Sequence, residues 1–414
     1  MNIVIVGTGK AGFLHFKSYY DLAKGGTCDI SKIYFIDRIN AFGKELSNLL
    51  LQVGGYYKVY LDIGELISET KINPQDTIID LCTPSGTFFE IIQKMTEYGF
   101  QNYIVEKPFI IFEDCEQSQS LIEKIKIIKI ENYLHSKVHH NIRNFIDRYQ
   151  LKLHIAVTNF SKDRRLESSK ARAFRESQLP PSVFEIEIPH QLYICNNLFG
   201  DITDLVYVNS KDMVLKDRVL KDHGQGVIIG KNADGNLYIH YSNLCANRVY
   251  RYLDIFFMNN YYLHAIYAPI CENLSGVEAG VVLFHGKELI ESRFFNEADN
   301  NMLAMLSHAI QCFEEDKSEG FATWNKINSF SELMKNVLSL TNKKFSEGIM
   351  NSQNHDFDLM QLWFIQLFSN NKIDSLGCDF LDFIEKRKML YFDGKIGVEF
   401  RQISKEEGDK LWQK

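Results

Sequence analysis

The sequence predicts an α/β fold: an N-terminal Rossmann-type, doubly wound parallel sheet, then a C-terminal α+β domain on an open, largely antiparallel sheet. Three observations carry this. Short apolar runs alternate with helical patterns over residues 1–130, a G-x-G-x-x-G run stands between the first strand and the first helix, and after residue 220 apolar runs meet in pairs at turn dipeptides. Parallel strands read as continuous apolar runs because helices cover both faces. Turns such as Asp-Gly favour antiparallel partners.

Taken in order, "NIVIVG" is a buried strand and "KAGFLHFKSYYDLAK" a helix. "KIYFID" is the second strand, "AFGKELSNLLLQVG" the second helix and "TIIDLCTP" a further strand. "FFEIIQKMTEYG" is a helix closed by Gly99, followed by the strand "NYIVEKP", a helix over 113–125 and the strand "IKIIKIENYL". From about residue 150 the rhythm changes. "LKLHIAVTNF" is a strand, and an irregular basic stretch from Lys162 to Arg175 leads to "PSVFEIEIPHQLYICNNLFG". Three hairpins follow, centred on Asp234-Gly235, Asn259-Asn260 and Gly286-Lys287, then the helices "NNMLAMLSHAIQCFEE" and "FSELMKNVLSL". The expected division is a dinucleotide-binding domain over 1–130, a substrate and oligomerisation domain over 131–344, and a C-terminal extension over 345–414 with aromatic helices and a last hairpin at Asp393-Gly394.

At 414 residues the chain exceeds one ordinary core, and its 45% hydrophobic and 24% charged shares are those of a globular protein. A formal charge of -7 gives no electrostatic reason to expect nucleic acid as a partner. No apolar run is long enough to span a bilayer, and "MNIVIVG" enters a strand without a basic leader, so neither membrane nor secretion is expected. The eight cysteines form no C-x-x-C pair and have no metal-ligand spacing. Cys82, Cys195 and Cys312 lie in apolar segments and read as reduced core thiols, which makes the cytoplasm the expected setting and a metal site unexpected.

"IVGTGKAG" carries the first functional signal. Gly7 permits a tight turn, Gly9 lets a pyrophosphate approach the backbone, and Gly12 lets the helix pack closely. Lys10 and Ala11 would then present helix N-terminal amides to the phosphates. Asp37 ends the second strand, where an acid accepts hydrogen bonds from the ribose hydroxyls of NAD; Asp is also a common helix cap. Arg38 would stack on adenine or meet a 2′-phosphate, which leaves NADP open while NAD is favoured. Ligands of doubly wound sheets lie beyond the carboxyl ends of the strands, so Thr83-Pro84 and Glu106-Lys107-Pro108 should face one crevice. Pro108 restrains Lys107 and aims a single amine in a fixed direction.

The order "IVGTGKAG", "YFID", "IIDLCTPSGTFFE", "EYGFQNYIVEKP" resembles the glucose–fructose oxidoreductase/inositol dehydrogenase (Gfo/Idh/MocA) family, and the likeness runs to about residue 344. The glutamate-lysine-proline motif is its most specific part. The resemblance implies an NAD(P)-dependent oxidoreductase acting on a sugar, a cyclitol or a derivative, with Lys107 positioning the reacting group beside the nicotinamide. It implies a histidine acid or base on a helix of the second domain, best matched by His190. The chain departs from the family pattern there, with Ile186, Ile188 and Tyr193 in place of aspartate, glycine and aspartate. Glu187 could supply the missing carboxylate. Pro189 suits a first helical turn. A helix N-terminus disfavours imidazolium and a neighbouring glutamate favours it, so the sign of the His190 shift is open. Phe88 stands where relatives often have histidine.

Asn132, Tyr133 and His135 fall where relatives often contact substrate or nicotinamide; on a strand, Tyr133 and His135 share one side. His139 and His140 are adjacent and diverge on a helix. Arg164, Arg165, Arg172 and Arg175 either hold an anionic group or form a solvated, salt-bridged loop with Asp163 and Glu167. The expected activity is hydride transfer between nicotinamide and a secondary alcohol or ketone, with reduction of a C=N bond, or a non-catalytic dinucleotide-binding sensor or scaffold, as alternatives. The expected partners are a small-molecule substrate and copies of the same chain, as a dimer or tetramer.

Overall fold

The computed structural model describes residues 1–37, 59–112, 115–170, 181–267, 279–286, 288–295 and 300–341. The helical pattern at 41–54, Arg38, Arg172, Arg175 and the 345–414 extension lie outside these residues.

The first sheet is parallel throughout its described strands, in the order β3-β2-β1-β4-β5-β6. They are β1 (Asn2–Val6), β2 (Lys32–Ile36), β3 (Val59–Tyr60), β4 (Thr77–Leu81), β5 (Asn102–Val105) and β6 (Lys126–Lys129). Alternation along β1 sends Ile3 and Ile5 into one core with Phe16 and Tyr19 of α1 (Lys10–Lys24), and Val4 and Val6 into another. The second core holds residues of α2 (Ile63–Glu69) and α3 (Phe88–Glu97). The strand order reverses between β1 and β4, which opens a crevice above their carboxyl ends. α4 (Cys115–Ile122) ends before the expected 125, and residues 113 and 114 lie outside the described residues.

The strand expected through residue 134 ends early. β6 pairs with β5 only as far as Lys129, and the last ladder-like bond runs from Ile130 N to the Val105 carbonyl. Beyond Val105 the neighbouring strand has given way to the proline turn, so nothing remains to pair with. The chain closes into a 3-10 turn over Asn132–His135, and Tyr133 and His135 do not share a strand face. α5 (Lys137–Tyr149) follows, capped by Ser136, whose hydroxyl accepts from His139 N at 3.0 Å.

The second sheet has eight strands in the order β14-β13-β12-β11-β7-β10-β9-β8. They are β7 (Leu153–Asp163), β8 (Ile202–Val214), β9 (Val219–Asn232), β10 (Leu237–Asn243), β11 (Cys245–Phe257), β12 (Tyr261–Ile266), β13 (Ala279–His285) and β14 (Glu288–Phe295). β10 runs parallel to β7 and the other pairings are antiparallel. The three expected hairpins form, with left-handed backbone at Gly235, Asn259, Asn260 and Gly286 where the turns demand it. α6 (Arg165–Lys170), α7 (Val183–Ile186) and α8 (Ile188–Phe199) follow the end of β7. One face of the sheet packs on α5, α7 and α8 around Phe160, Phe184, Leu192 and Leu253.

Two helices return across the molecule. α9 (Asn301–Glu314) lies against α1, with Met305, Leu306 and Ile310 in the core of Ile3, Ile5 and Phe16. α10 (Trp324–Thr341) places Ile327 in the other core of the parallel sheet, and Phe330, Met334 and Val337 in that of the second sheet.

Candidate active site

The glycine turn is built for close approach. Gly7 adopts φ 97°, and a Cβ there would lie 2.9 Å from the Cys82 carbonyl oxygen. A Cβ on Gly12 would fall 2.1 Å from the Gly7 carbonyl oxygen, so α1 rests on the turn that precedes it. Gly9 differs: a Cβ there meets nothing within 4 Å, and as the N-cap of α1 it brings no side chain to the helix end. This open cradle at a helix N-terminus fits a pyrophosphate. Lys10 is exposed and Ala11 half-buried in the same first turn. Asp37 closes one side, its Oδ2 accepting from Thr8 N at 2.8 Å and Thr8 Oγ1 at 2.6 Å. Thr83 and Pro84 follow β4, and each accepts from the Thr87 hydroxyl at 2.8 Å. Phe88 is buried against Phe109 and belongs to the core.

At the end of β5 the Lys107-Pro108 peptide is cis. Lys107 is half-buried, and its ammonium donates to the Ile186 carbonyl at the end of α7, linking the parallel sheet to the second domain. One residue on, Glu187 is buried and receives two guanidinium groups. Arg164 donates to its Oε1 from Nε at 3.0 Å and Nη2 at 2.6 Å, and Arg251 Nη2 lies 3.1 Å from its Oε2. Arg251 also donates to the Tyr133 hydroxyl at 3.3 Å and lies over the Phe160 ring at 5.1 Å. The Tyr133 ring meets the His190 imidazole edge-on at 5.0 Å. His190 stands in the first turn of α8, and its Nδ1 is buried with no hydrogen-bond partner among the described residues.

The charges follow from this packing. Burial alone would raise Glu187, but Arg251, Arg164 and Lys107 hold its carboxyl well below the usual range. Burial lowers Lys107, and Glu187 and Glu106 partly restore it. His190 is pushed well below an ordinary histidine by burial and then by Lys107, so its resting form is neutral. The sign left open by the sequence resolves against imidazolium.

Lys107, Glu187, His190 and Tyr133 are therefore brought together. His135 is not: its ring packs on His308 of α9 at 5.0 Å, and burial lowers it to about 4. Arg165 forms the expected surface pair with Asp163, at 2.8 Å, while Arg164 turns inward to Glu187. Arg251 was not singled out in the sequence. The signal for it was an arginine on the same alternation as the apolar Leu253 and Ile255 of β11, which marks a buried charge with a partner.

A second cluster lies beneath Glu106. His15 of α1 is fully buried, with Nδ1 2.8 Å from Asp80 Oδ2 and Nε2 3.0 Å from Glu106 Oε1. His15, Asp80 and Cys82 bring ligand-type atoms within 4.8 Å of one another. Both ring nitrogens already face carboxylates, and burial pushes the Cys82 thiol far up, so the cluster is a hydrogen-bonded network.

The model of the oxidoreductase family with the NAD-binding Rossmann fold, GFO_IDH_MocA, matches residues 1–133. Over these residues the chain resembles the Gfo/Idh/MocA oxidoreductases. That match agrees with the glycine cradle, the six-stranded order and the Glu106-Lys107-Pro108 turn. No curated protein matches the sequence. Solved structures match over most of the chain. UDP-N-acetylglucosamine 3-dehydrogenase GnnA from Acidithiobacillus ferrooxidans has a TM-score of 0.58 at 13% identity, covering 82% of this chain and 97% of its own. Levoglucosan dehydrogenase, in complex with NADH and levoglucosan, has a TM-score of 0.63 at 14% identity, with 83% and 97% covered. KijD10, a 3-ketoreductase from Actinomadura kijaniata in complex with NADP and TDP-benzene, has a TM-score of 0.62 at 10% identity, with 82% and 97% covered. At these identities the likeness is one of fold: the Gfo/Idh/MocA parallel sheet with a mixed second sheet. Among the described residues, no helix is long and apolar enough to cross a membrane.

Proposed function

We propose that the chain oxidises a secondary alcohol of a sugar, a cyclitol or a related small metabolite to the ketone, and catalyses the reverse reduction, with NAD or NADP. The observation that carries this reading is the meeting of Lys107, at the carboxyl end of β5, with Glu187 and His190 of the second domain. A bound nicotinamide supplies the acceptor or donor of hydride; the chain supplies the rest. Gly7, Gly9, Gly12 and Asp37 hold the dinucleotide in register. Lys107 donates to the reacting oxygen and stabilises the negative charge that grows there. His190 takes the hydroxyl proton on oxidation and returns it on reduction. Its neutral resting form suits proton acceptance, so oxidation needs no prior proton movement at this residue. Glu187 keeps Lys107 charged against the pull of burial. The substrates named for GnnA and levoglucosan dehydrogenase are sugars, which supports the substrate class proposed here.

The test is Lys107→Met against a panel of sugars, cyclitols and their ketones. Turnover is expected to fall by about 10²–10⁴-fold, the range of a lost acid–base or oxyanion donor, while dinucleotide affinity changes by less than about threefold. Turnover within about tenfold of wild type would overturn the assignment of Lys107.

A further inference from the structure

We propose that His15 is a positioning residue: held between Asp80 and Glu106, it fixes the Glu106 carboxylate at the root of Lys107 and sets the field in which that ammonium works. The proposal rests on reading Lys107 as the group at the reacting oxygen. Its evidence is a row of buried contacts that the nucleotide cradle does not need. His15 lies on α1, Asp80 on β4 and Glu106 at the end of β5, so three elements of the parallel sheet converge on one imidazole. An ionised carboxylate only accepts hydrogen bonds, and neutral imidazole donates from one nitrogen. Carboxylates at both nitrogens, at 2.8 and 3.0 Å, are satisfied together by imidazolium.

The two acids are pinned at their other bonds. Asp80 Oδ2 also accepts from the Tyr19 hydroxyl at 2.9 Å, and its Oδ1 faces the Cys82 thiol at 3.6 Å. The second oxygen of Glu106 accepts from the Lys107 amide at 3.0 Å. Glu106 therefore cannot turn without giving up either the histidine or the backbone of the lysine. From the interior to the crevice the charges alternate: Asp80, His15, Glu106, Lys107, Glu187, then Arg164 and Arg251. Cys82 also faces the histidine, its Sγ 3.3 Å from Nδ1, while Arg164 and Arg251 act on the lysine. Burial opposes each charge. Asp80 and Cys82 nonetheless hold His15 well above an ordinary histidine, and His15 and Lys107 hold Glu106 below an ordinary glutamate. Buried ions kept only for stability are replaceable by apolar groups of similar volume. A row that ends on the lysine proposed at the reacting oxygen has a use for its charge.

Spectra of ¹⁵N-histidine-labelled protein at pH 8 test the core of the proposal without turnover. One histidine is expected to carry protons on both nitrogens, and that signal is expected to vanish in His15→Gln and in Asp80→Asn. In His15→Gln, Glu106 loses its cationic partner and protonates at higher pH. The acid limb of kcat/KM should then move up by about one pH unit or more, tenfold in proton affinity, while the KM for the dinucleotide stays within about threefold. A wild-type spectrum with no imidazolium at pH 8 overturns the proposal, even if no variant folds. So does a His15→Gln pH profile that superposes on that of wild type. If instead Lys107→Met keeps its turnover while the imidazolium signal is present, the proposed function fails and the buried row stands.

Discussion

Glu187 is the residue on which the second domain's contribution turns. Arg164, Arg251 and Lys107 all face it, and its two oxygens take up the guanidinium groups of Arg164 and Arg251 at 2.6 to 3.1 Å. Glu187→Gln keeps the shape and removes the charge. Breaking a buried pair from one side strands the other, so a loss of about 3–5 kcal/mol in urea unfolding is expected. A loss below about 1 kcal/mol, the size of an exposed pair, would mean that the arginines are solvated. At this scale the sequence was legible where local context isolated a residue. Lys107 stood between an acid and a proline at a strand end, and Glu187 lay three positions before the candidate histidine. It was not legible where the partner came from another strand. Arg251 meets Glu187 only because β11 pairs with β7, and His15 meets Glu106 only because α1 packs on the parallel sheet.

Elements were read well where one periodicity and one turn decided them. The glycine turn, α1 and the three hairpins of the second sheet belong to this group, because positive-φ turns and apolar alternation are local facts. β6 was over-extended, since the end of a strand depends on where its neighbour stops. The glycine turn itself gives a paired prediction. Gly12→Ala would drive a methyl group to 2.1 Å from the Gly7 carbonyl and push α1 off the turn. It should cost about 1–3 kcal/mol by the overpacking penalty and weaken dinucleotide binding as well. Gly9→Ala meets nothing within 4 Å, and its φ of -70° is ordinary for alanine, so stability should change by less than about 1 kcal/mol. Its methyl group would project into the space left for the pyrophosphate. Titration of NADH fluorescence should show about tenfold or greater weakening, roughly the 1.4 kcal/mol that one steric conflict easily reaches. Equal affinity in wild type and Gly9→Ala would place the phosphates elsewhere.

For the whole molecule, chain order and packing order part company at the end. α9 follows the second sheet in sequence, yet its apolar stripe completes the core beside α1. An amphipathic pattern shows that a helix buries one face and is silent on which sheet receives it. The price of so much interior is a set of buried histidines. Burial holds His135 and His139 down to about 4 and His240 to about 3. These three stay neutral in the folded protein while the unfolded chain takes up protons near 6.5. The unfolded state then binds more protons, and stability falls as the pH drops from about 6.5 toward 4. His15 has the opposite sign: its folded value is raised, so its contribution is fully present below 6.5 and is lost as the pH climbs through the folded value. Over the acid range His15 is protonated in both states and adds no slope. The decline there belongs to the depressed histidines, His190 among them, at most about 1.4 kcal/mol per pH unit for each proton taken up. Urea midpoints measured from pH 6.5 to 5 should fall steadily, and His240→Asn should flatten the curve, because that ring bonds the Thr158 hydroxyl at 2.7 Å in a fully buried site. A midpoint that stays level across this range would mean that these rings are charged in the folded protein, and that the interior around β7 and β10 admits water.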